Sequence, residues 1–158
     1  TVNTDELIEL LRKEYGDEGI MTSVTKIVPR YAETDQMGFV HHSVYAIWYE
    51  QARTELLNQA GIPYDEIEKA GVVSPLVELK CQYKRPAHYN QEVTVYTKIV
   101  EVKPAKCVLQ YELFDKENVL LNIGETTLAW IDAKTGRLVS LKKVLPDVYE
   151  KMLSMVEA

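Results

Sequence analysis

The sequence predicts an α+β domain in which one antiparallel sheet wraps around a single long helix. Two observations carry this prediction. The helix predicted over 43–60 begins with the run VYAIWY, which is apolar almost all the way round, as expected of a helix enclosed by protein. From residue 77 onwards apolar and polar residues alternate with a period of two through several strand-like segments. Because short turns join these segments, their strands are predicted to be antiparallel neighbours.

Further elements follow from the same periodicities in chain order. A strand is predicted before the long helix and a short helix after it, and the last of the later strands, apolar on both faces, is predicted to be central in the sheet. These elements are strands at 22–30, 77–84, 92–101, 106–114 and 119–131 and helices at 64–70 and 146–156. Residues 1–20 are interpreted as an amphipathic helical extension, and residues 21–158 as the main domain.

Length and composition narrow the class of protein. A chain of 158 residues suits one domain with one core. The net charge of -6 argues against a nucleic-acid partner, which would require clustered Lys and Arg. No apolar run approaches the roughly 20 residues that cross a bilayer, so we expect a cytoplasmic protein without a membrane partner. Cys81 and Cys107 lie in strand-like segments without metal-ligand spacing, and they are predicted to be buried reduced thiols.

The stretch from Pro29 to Tyr45, PRYAETDQMGFVHHSVY, is the candidate site. Asp35 and Gly38 occupy the first and fourth positions of a type I turn, so a purely structural role is one reading of these residues. The functional reading depends on the helix that follows, because its first turn presents unpaired N–H groups and a positive dipole end. Such an end can hold a developing oxyanion, and an aspartate opposite it could attack a carbonyl or activate a water.

Other polar residues near this stretch carry weaker signals. His41 and His42 are adjacent, which makes a poor metal site, so no metal is predicted; His42 could orient water or substrate, or could be a loop residue. Glu33 is interpreted as a solvated loop acid. Glu50 and Arg53 share a helix face and are expected to form an ion pair, unless Glu50 projects toward a cavity.

Two sequence blocks resemble the hotdog-fold acyl-CoA thioesterases of the 4-hydroxybenzoyl-CoA thioesterase group. The first is RYAETDQMGFVHHSVY at 30–45 followed by WYEQAR at 48–53, and the second is YKRPA at 83–87. The resemblance spans about residues 24–137. It implies a hotdog fold, which is a curved antiparallel sheet of about five strands around the long helix. It also implies a dimer with continuous sheets, or a dimer of dimers, and active sites at subunit interfaces.

The resemblance also implies roles for individual residues. Asp35 matches the catalytic carboxylate, as nucleophile or general base, and the backbone N–H near His42 matches the group that polarises the thioester carbonyl. The His42 side chain matches a supporting position, and Glu50 matches a recurrent helix acid, so both are counted with the catalytic residues. No cofactor is expected beyond coenzyme A as part of the substrate. The residues expected to contact substrate are Gly38, Val40, Tyr45, Lys84 and Arg85, the last two as candidates for the coenzyme A phosphates.

Three functions fit these sequence features. The first is hydrolysis of an acyl thioester of coenzyme A or an acyl carrier protein, which releases a free acid and a thiol. The second is a non-catalytic protein that binds acyl thioesters or acts as a scaffold, because a fold does not fix a function. Hydration or dehydration of an acyl thioester is the third, and the Asp35 block fits it less well.

Overall fold

An antiparallel sheet of five strands packs against one long helix, which confirms the predicted α+β architecture. The computed structural model describes residues 22–62 and 64–156, so the predicted extension over 1–20 lies outside the described residues. The strands are β1 (Ser23–Ile27), β2 (Val72–Val73), β3 (Leu76–Tyr83), β4 (Val93–Lys103), β5 (Lys106–Asp115), β6 (Leu120–Ala129) and β7 (Ile131–Asp132). The helices are α1 (Val44–Gln59), α2 (Tyr64–Lys69), α3 (Leu141–Val144) and α4 (Pro146–Met155), and a 3₁₀ helix covers Tyr31–Glu33.

The strand order places β3 and β1 at the two edges of the main sheet. The order is β1-β4-β5-β6-β3, and β2 pairs with β7 in a separate ribbon. The sequence predicted the last long strand to be central, but β5 occupies the middle. Short turns join β4, β5 and β6, and β1 pairs with the free edge of β4. The middle strand of the sheet is therefore β5, which precedes the predicted strand β6 in the chain.

Helix α1 lies very close to the sheet at Tyr49. The Tyr49 ring stacks on Tyr111 with ring centroids 4.4 Å apart, and its hydroxyl donates a hydrogen bond to Asn122. A Cβ atom at Gly124 would lie 2.3 Å from the Tyr49 ring. Glycine at position 124 is therefore what allows the helix to approach the sheet this closely.

One side of α1 remains open, contrary to the prediction of a helix enclosed by protein. The sheet-facing residues, such as Trp48 and Tyr49, are buried, whereas Ile47 is 61% exposed. The neighbouring edge strand β3 is also exposed, with Leu79 at 40% and Tyr83 at 53%. Among the described residues, β3 pairs only with β6, so its predicted buried face is only partly covered.

The two cysteines are free thiols, and they differ in burial. Cys107 is buried on β5, as predicted, whereas Cys81 on the edge strand is only half-buried. Burial raises the pKa of the Cys107 thiol to about 12, and the charge of Arg53 acts against that rise. None of the described helices is long and apolar enough to cross a membrane.

Candidate active site

The loop before α1 is held by the side chain of Asp35. Its Oδ1 accepts hydrogen bonds from the backbone N–H groups of Met37 (2.8 Å) and Phe39 (3.2 Å). Gly38 closes the turn with an N–H to Asp35 carbonyl bond of 3.1 Å, at a positive φ of 79° that favours glycine. The predicted turn is confirmed, and the carboxylate that is the candidate reacting group also shapes its own loop.

Glu33 connects this loop to the helix from a buried position. Its Oε1 accepts from the backbone N–H of Arg30 at 2.8 Å, and its Oε2 accepts from the Trp48 indole at 3.1 Å. Its carbonyl oxygen accepts from the N–H of His41 at 2.8 Å. The interpretation of Glu33 as a solvated loop acid is therefore wrong, because the indole and backbone donors satisfy the carboxylate inside the protein.

The start of α1 presents backbone N–H groups next to the loop. Ser43 precedes the helix, but its side chain makes no capping hydrogen bond. Instead, His41 Nδ1 accepts from the Ser43 N–H at 3.2 Å and lies 2.7 Å from the Ser43 hydroxyl. Within residues 22–62 and 64–156, the N–H of His42 has no hydrogen-bond acceptor. His41 thus acts locally on the turn, while the His42 N–H remains available to a ligand.

Tyr83 fixes the peptide on the other side of His42. Its hydroxyl donates a hydrogen bond of 3.0 Å to the His42 carbonyl, and its ring packs edge-on against Tyr45 with ring centroids 5.3 Å apart. The sequence placed Tyr83 on the predicted buried face of its strand and in the YKRPA block, and gave it no role in the site. Its place in that block was the one sequence signal for a role in the site. The contact with His42 could not be predicted, because the two residues are 41 positions apart in the chain.

A cleft of about 330 Å³ brings most of the predicted site residues together. Gly38 does not line this cleft but shapes its loop, and Glu50 lines a different cavity. The residues that line the cleft are Asp35, Phe39, Val40, His42, Tyr45, Tyr83, Lys84, Arg85 and Pro86. The cleft therefore combines one carboxylate, one histidine and two cations.

Lys84 and Arg85 give the cleft its positive charge. Their backbone N–H groups both donate to the Leu121 carbonyl, at 2.9 and 3.0 Å. Both side chains are exposed, and among the described residues neither lies within 4.0 Å of a carboxylate. The two cations are thus anchored by their backbone and free to meet an anionic ligand.

A second cavity, of about 560 Å³, lies beside α1. Glu50 and Arg53 both line it, together with residues of α2, β3 to β6 and α4. The ion pair predicted between them is absent, since no carboxylate among the described residues lies within 4.0 Å of Arg53. In the same described part of the chain, no three His, Cys, Asp or Glu side chains cluster as metal ligands.

A central helix packed on an antiparallel sheet, with an acidic loop at the helix start, defines a hotdog-fold protein. Comparison with known proteins agrees with this class. Residues 29–151 match the family described as the thioesterase-like superfamily, and the chain belongs to that family.

Individual relatives cover most of the chain. It is 36% identical over 132 residues to YneP of Bacillus subtilis, a match that covers 82% of this chain and 96% of that protein. It is 28% identical to the acyl-CoA thioester hydrolase YbgC of Escherichia coli over 65% of this chain and 76% of the relative. Among solved structures, the DHNA-CoA thioesterase of Staphylococcus aureus is 35% identical with a TM-score of 0.80, covering 82% of this chain and 87% of the other.

Proposed function

We propose that the protein hydrolyses acyl-CoA thioesters to a free carboxylic acid and coenzyme A, with Asp35 as the reacting carboxylate. One observation carries the proposal: Asp35 and His42 line the same cleft at the start of α1. The His42 N–H, which lacks an acceptor among the described residues, can donate to the thioester carbonyl oxygen. Acyl transfer requires such a donor opposite a nucleophile or base.

Two routes use the same atoms. In the first, the Asp35 carboxylate attacks the carbonyl carbon, the C–S bond breaks, and water then hydrolyses the mixed anhydride. In the second, Asp35 takes a proton from a water that attacks the same carbon. In both routes the charge on the carbonyl oxygen is stabilised by the His42 N–H and the positive end of the α1 dipole. The departing thiolate takes up a proton, so both routes yield an acid and a thiol.

Other residues of the cleft have supporting roles in this proposal. Tyr83 holds the His42 carbonyl, which belongs to the peptide after the one whose N–H donates, and so restrains the backbone on one side of His42. The exposed side chains of Lys84 and Arg85 suit the phosphates of coenzyme A. The buried side chains of Val40 and Tyr45 provide an apolar wall for the acyl group.

A second copy of the chain is proposed to cover the open side of α1. The edge strand β3 exposes apolar side chains, and Ile47 of α1 is exposed beside it. Pairing of two β3 edges would bury these residues and join two sheets into one, with the clefts near the interface. Analytical ultracentrifugation is expected to give at least a dimer, and Val77→Asp on β3 should shift it towards monomer. A monomeric wild-type protein would contradict this arrangement.

A thioesterase assay with a panel of acyl-CoA substrates tests the proposed activity. Release of free thiol by the wild-type protein and its loss in Asp35→Asn are the expected results. Binding of acyl-CoA without turnover of any chain length would instead favour the non-catalytic binding role. Activity that survives Asp35→Asn would exclude Asp35 as the reacting group.

A further inference from the structure

The cavity beside α1 contains a half-buried cation, Arg53, that has no acidic partner among the described residues. The Arg53 guanidinium lies close to two residues of β5, Cys107 and Tyr111. Burial raises the pKa of the Tyr111 hydroxyl and of the Cys107 thiol, and the Arg53 guanidinium acts against both rises. An arginine held in this position without a counter-charge costs free energy, which an oxygen-bearing ligand group would offset.

Two other polar groups of the cavity lack hydrogen-bond partners. The Trp130 indole nitrogen and the Ser74 hydroxyl are buried, and neither makes a hydrogen bond to the described residues. Both residues line the cavity together with Arg53. Most other lining residues of the sheet and α4 are apolar, namely Ile99, Leu109, Leu128 and Met152. An apolar cavity with a few polar groups is the usual form of a small-molecule site.

Helix α1 brings the cavity next to the catalytic cleft. Tyr45 lines the cleft, and the next residue, Ala46, lines the cavity. Arg53 follows Tyr45 by eight residues, which corresponds to about 12 Å along the helix axis at the usual rise per residue. An acyl group of about this length that ran along α1 from the cleft would end near the guanidinium.

Edge strand β3 forms the other side of this path. Leu76 lines the cavity and Tyr83 lines the cleft. Between them, Leu79 and Cys81 lie on the same face of β3 as Tyr83, because they pair with alternate residues of β6. Leu79 and Cys81 thus lie along β3 between the residue that lines the cavity and the residue that lines the cleft.

We propose that Arg53 is a specificity residue that selects acyl groups carrying a hydroxyl on their distal part, in preference to plain hydrocarbon chains. This inference rests on the proposed thioesterase function. Arg53 can donate a hydrogen bond to the hydroxyl oxygen, and the exposed carboxylates of Glu50 and Glu68, which line the same cavity, can accept a hydrogen bond from the hydroxyl O–H. The same two carboxylates disfavour an acyl group that ends in a negative charge.

The test compares decanoyl-CoA with ω-hydroxydecanoyl-CoA, because the extended decanoyl chain suits the span of about 12 Å estimated from the helix rise. We expect kcat/KM to be at least about 10-fold higher for the hydroxylated substrate, since a hydrogen bond to a charged group contributes roughly 1.5–3 kcal/mol. Arg53→Met should remove this preference, so that kcat/KM becomes similar for the two substrates. Arg137→Met, an exposed arginine outside the cavity, should keep it. A preference that survives Arg53→Met, or no preference in the wild type, would overturn the proposal.

A binding measurement separates this inference from the proposed activity. Calorimetry uses the Asp35→Asn protein, in which turnover is expected to be about 10²–10⁴-fold slower, so that Kd is measured with little hydrolysis. We expect ω-hydroxydecanoyl-CoA to bind at least about 10-fold more tightly to it than to Asp35→Asn/Arg53→Met, by the same hydrogen-bond argument. Equal Kd values would refute the role of Arg53 even if hydrolysis is observed. The wild type could also hydrolyse neither substrate while Kd still depends on Arg53. That result would support the inference about Arg53 and refute the proposed function. If Arg53→Met does not fold, Arg53→Lys is measured in its place. It keeps the charge and should retain part of the preference.

Discussion

The buried carboxylate of Glu33 accepts a 3.1 Å hydrogen bond from the indole nitrogen of Trp48, which joins the candidate catalytic loop to α1. Glu33→Gln leaves one oxygen where two accepted, so either the Trp48 indole or the Arg30 N–H loses its acceptor. We expect the free energy of unfolding in urea to fall by about 1–3 kcal/mol. The exposed Glu112→Gln serves as control and should change it by less than about 0.5 kcal/mol. Equal changes in both variants would refute the anchoring role.

Asp35→Asn is expected to remove activity while leaving the loop intact. Asparagine keeps an oxygen for the N–H groups of Met37 and Phe39 but is neither a carboxylate nucleophile nor a base. We expect kcat to fall by about 10²–10⁴-fold, the usual contribution of a catalytic acid or base, with Tm unchanged. Asp35→Ala, which removes the acceptor as well, should also lower Tm. Similar Tm values for the two variants would show that the carboxylate does not hold the loop.

Tyr83→Phe tests whether the peptide of His42 must be held in place. The substitution removes only the hydroxyl that donates to the His42 carbonyl at 3.0 Å. Because this bond restrains the backbone next to the proposed oxyanion donor, kcat is expected to fall about 3–10-fold, in line with one ordinary hydrogen bond, with KM little changed. Tyr89→Phe, an exposed tyrosine outside the cleft, is the matched control. Equal kcat for both variants would contradict the role of Tyr83.

Gly124→Ala is expected to destabilise the fold through α1. The added Cβ would lie 2.3 Å from the Tyr49 ring, so the buried ring must shift. Overpacking of this kind costs about 1–3 kcal/mol in the free energy of unfolding. Combined with Tyr49→Leu, the same glycine substitution should cost less than it does alone, because the clashing ring is gone. Additive losses in the double variant would mean that the two residues do not compete for space.

The buried thiol of Cys107 is expected to make stability fall at high pH. Its pKa is raised to about 12 in the folded protein from the ordinary value of 9.0. The thiol therefore contributes its full stability below the ordinary pKa, and this contribution is lost as the pH rises towards the folded value. The free energy of unfolding should drop faster between about pH 9 and 11 in the wild type than in Cys107→Val, by up to about 1.4 kcal/mol per pH unit. Identical slopes would refute this ionisation.

The elements that sequence predicted well are those with strong local signals. The alternating segments from residue 77 onwards predicted four strands of the main sheet, and the apolar residues within 22–30 predicted the fifth, all to within a few residues. The long helix predicted over 43–60 is observed at Val44–Gln59. The turn at Asp35 was also local, since Asp and Gly at its two ends specify it. Position in the sheet was predicted less well, because it depends on which distant strands pair.

The parts of the site that sequence missed are long-range contacts. Glu33 and Trp48 are fifteen residues apart, and no helical or strand period connects them. Tyr83 reaches His42 across forty-one positions. The environment of Arg53 was misjudged because its helix spacing to Glu50 suggested an ion pair, whereas its side chain lies near Cys107 and Tyr111 on the sheet.

The double use of the Asp35 side chain limits how this site can evolve. An oxygen at Oδ1 keeps the turn closed through the Met37 and Phe39 N–H groups, so a residue without that short acceptor would lose the loop together with any chemistry. Asparagine alone would preserve the acceptor with the same side-chain length. Under the proposed function, a single-base change of an aspartate codon to an asparagine codon would therefore leave a folded protein that binds acyl thioesters and hydrolyses them only slowly.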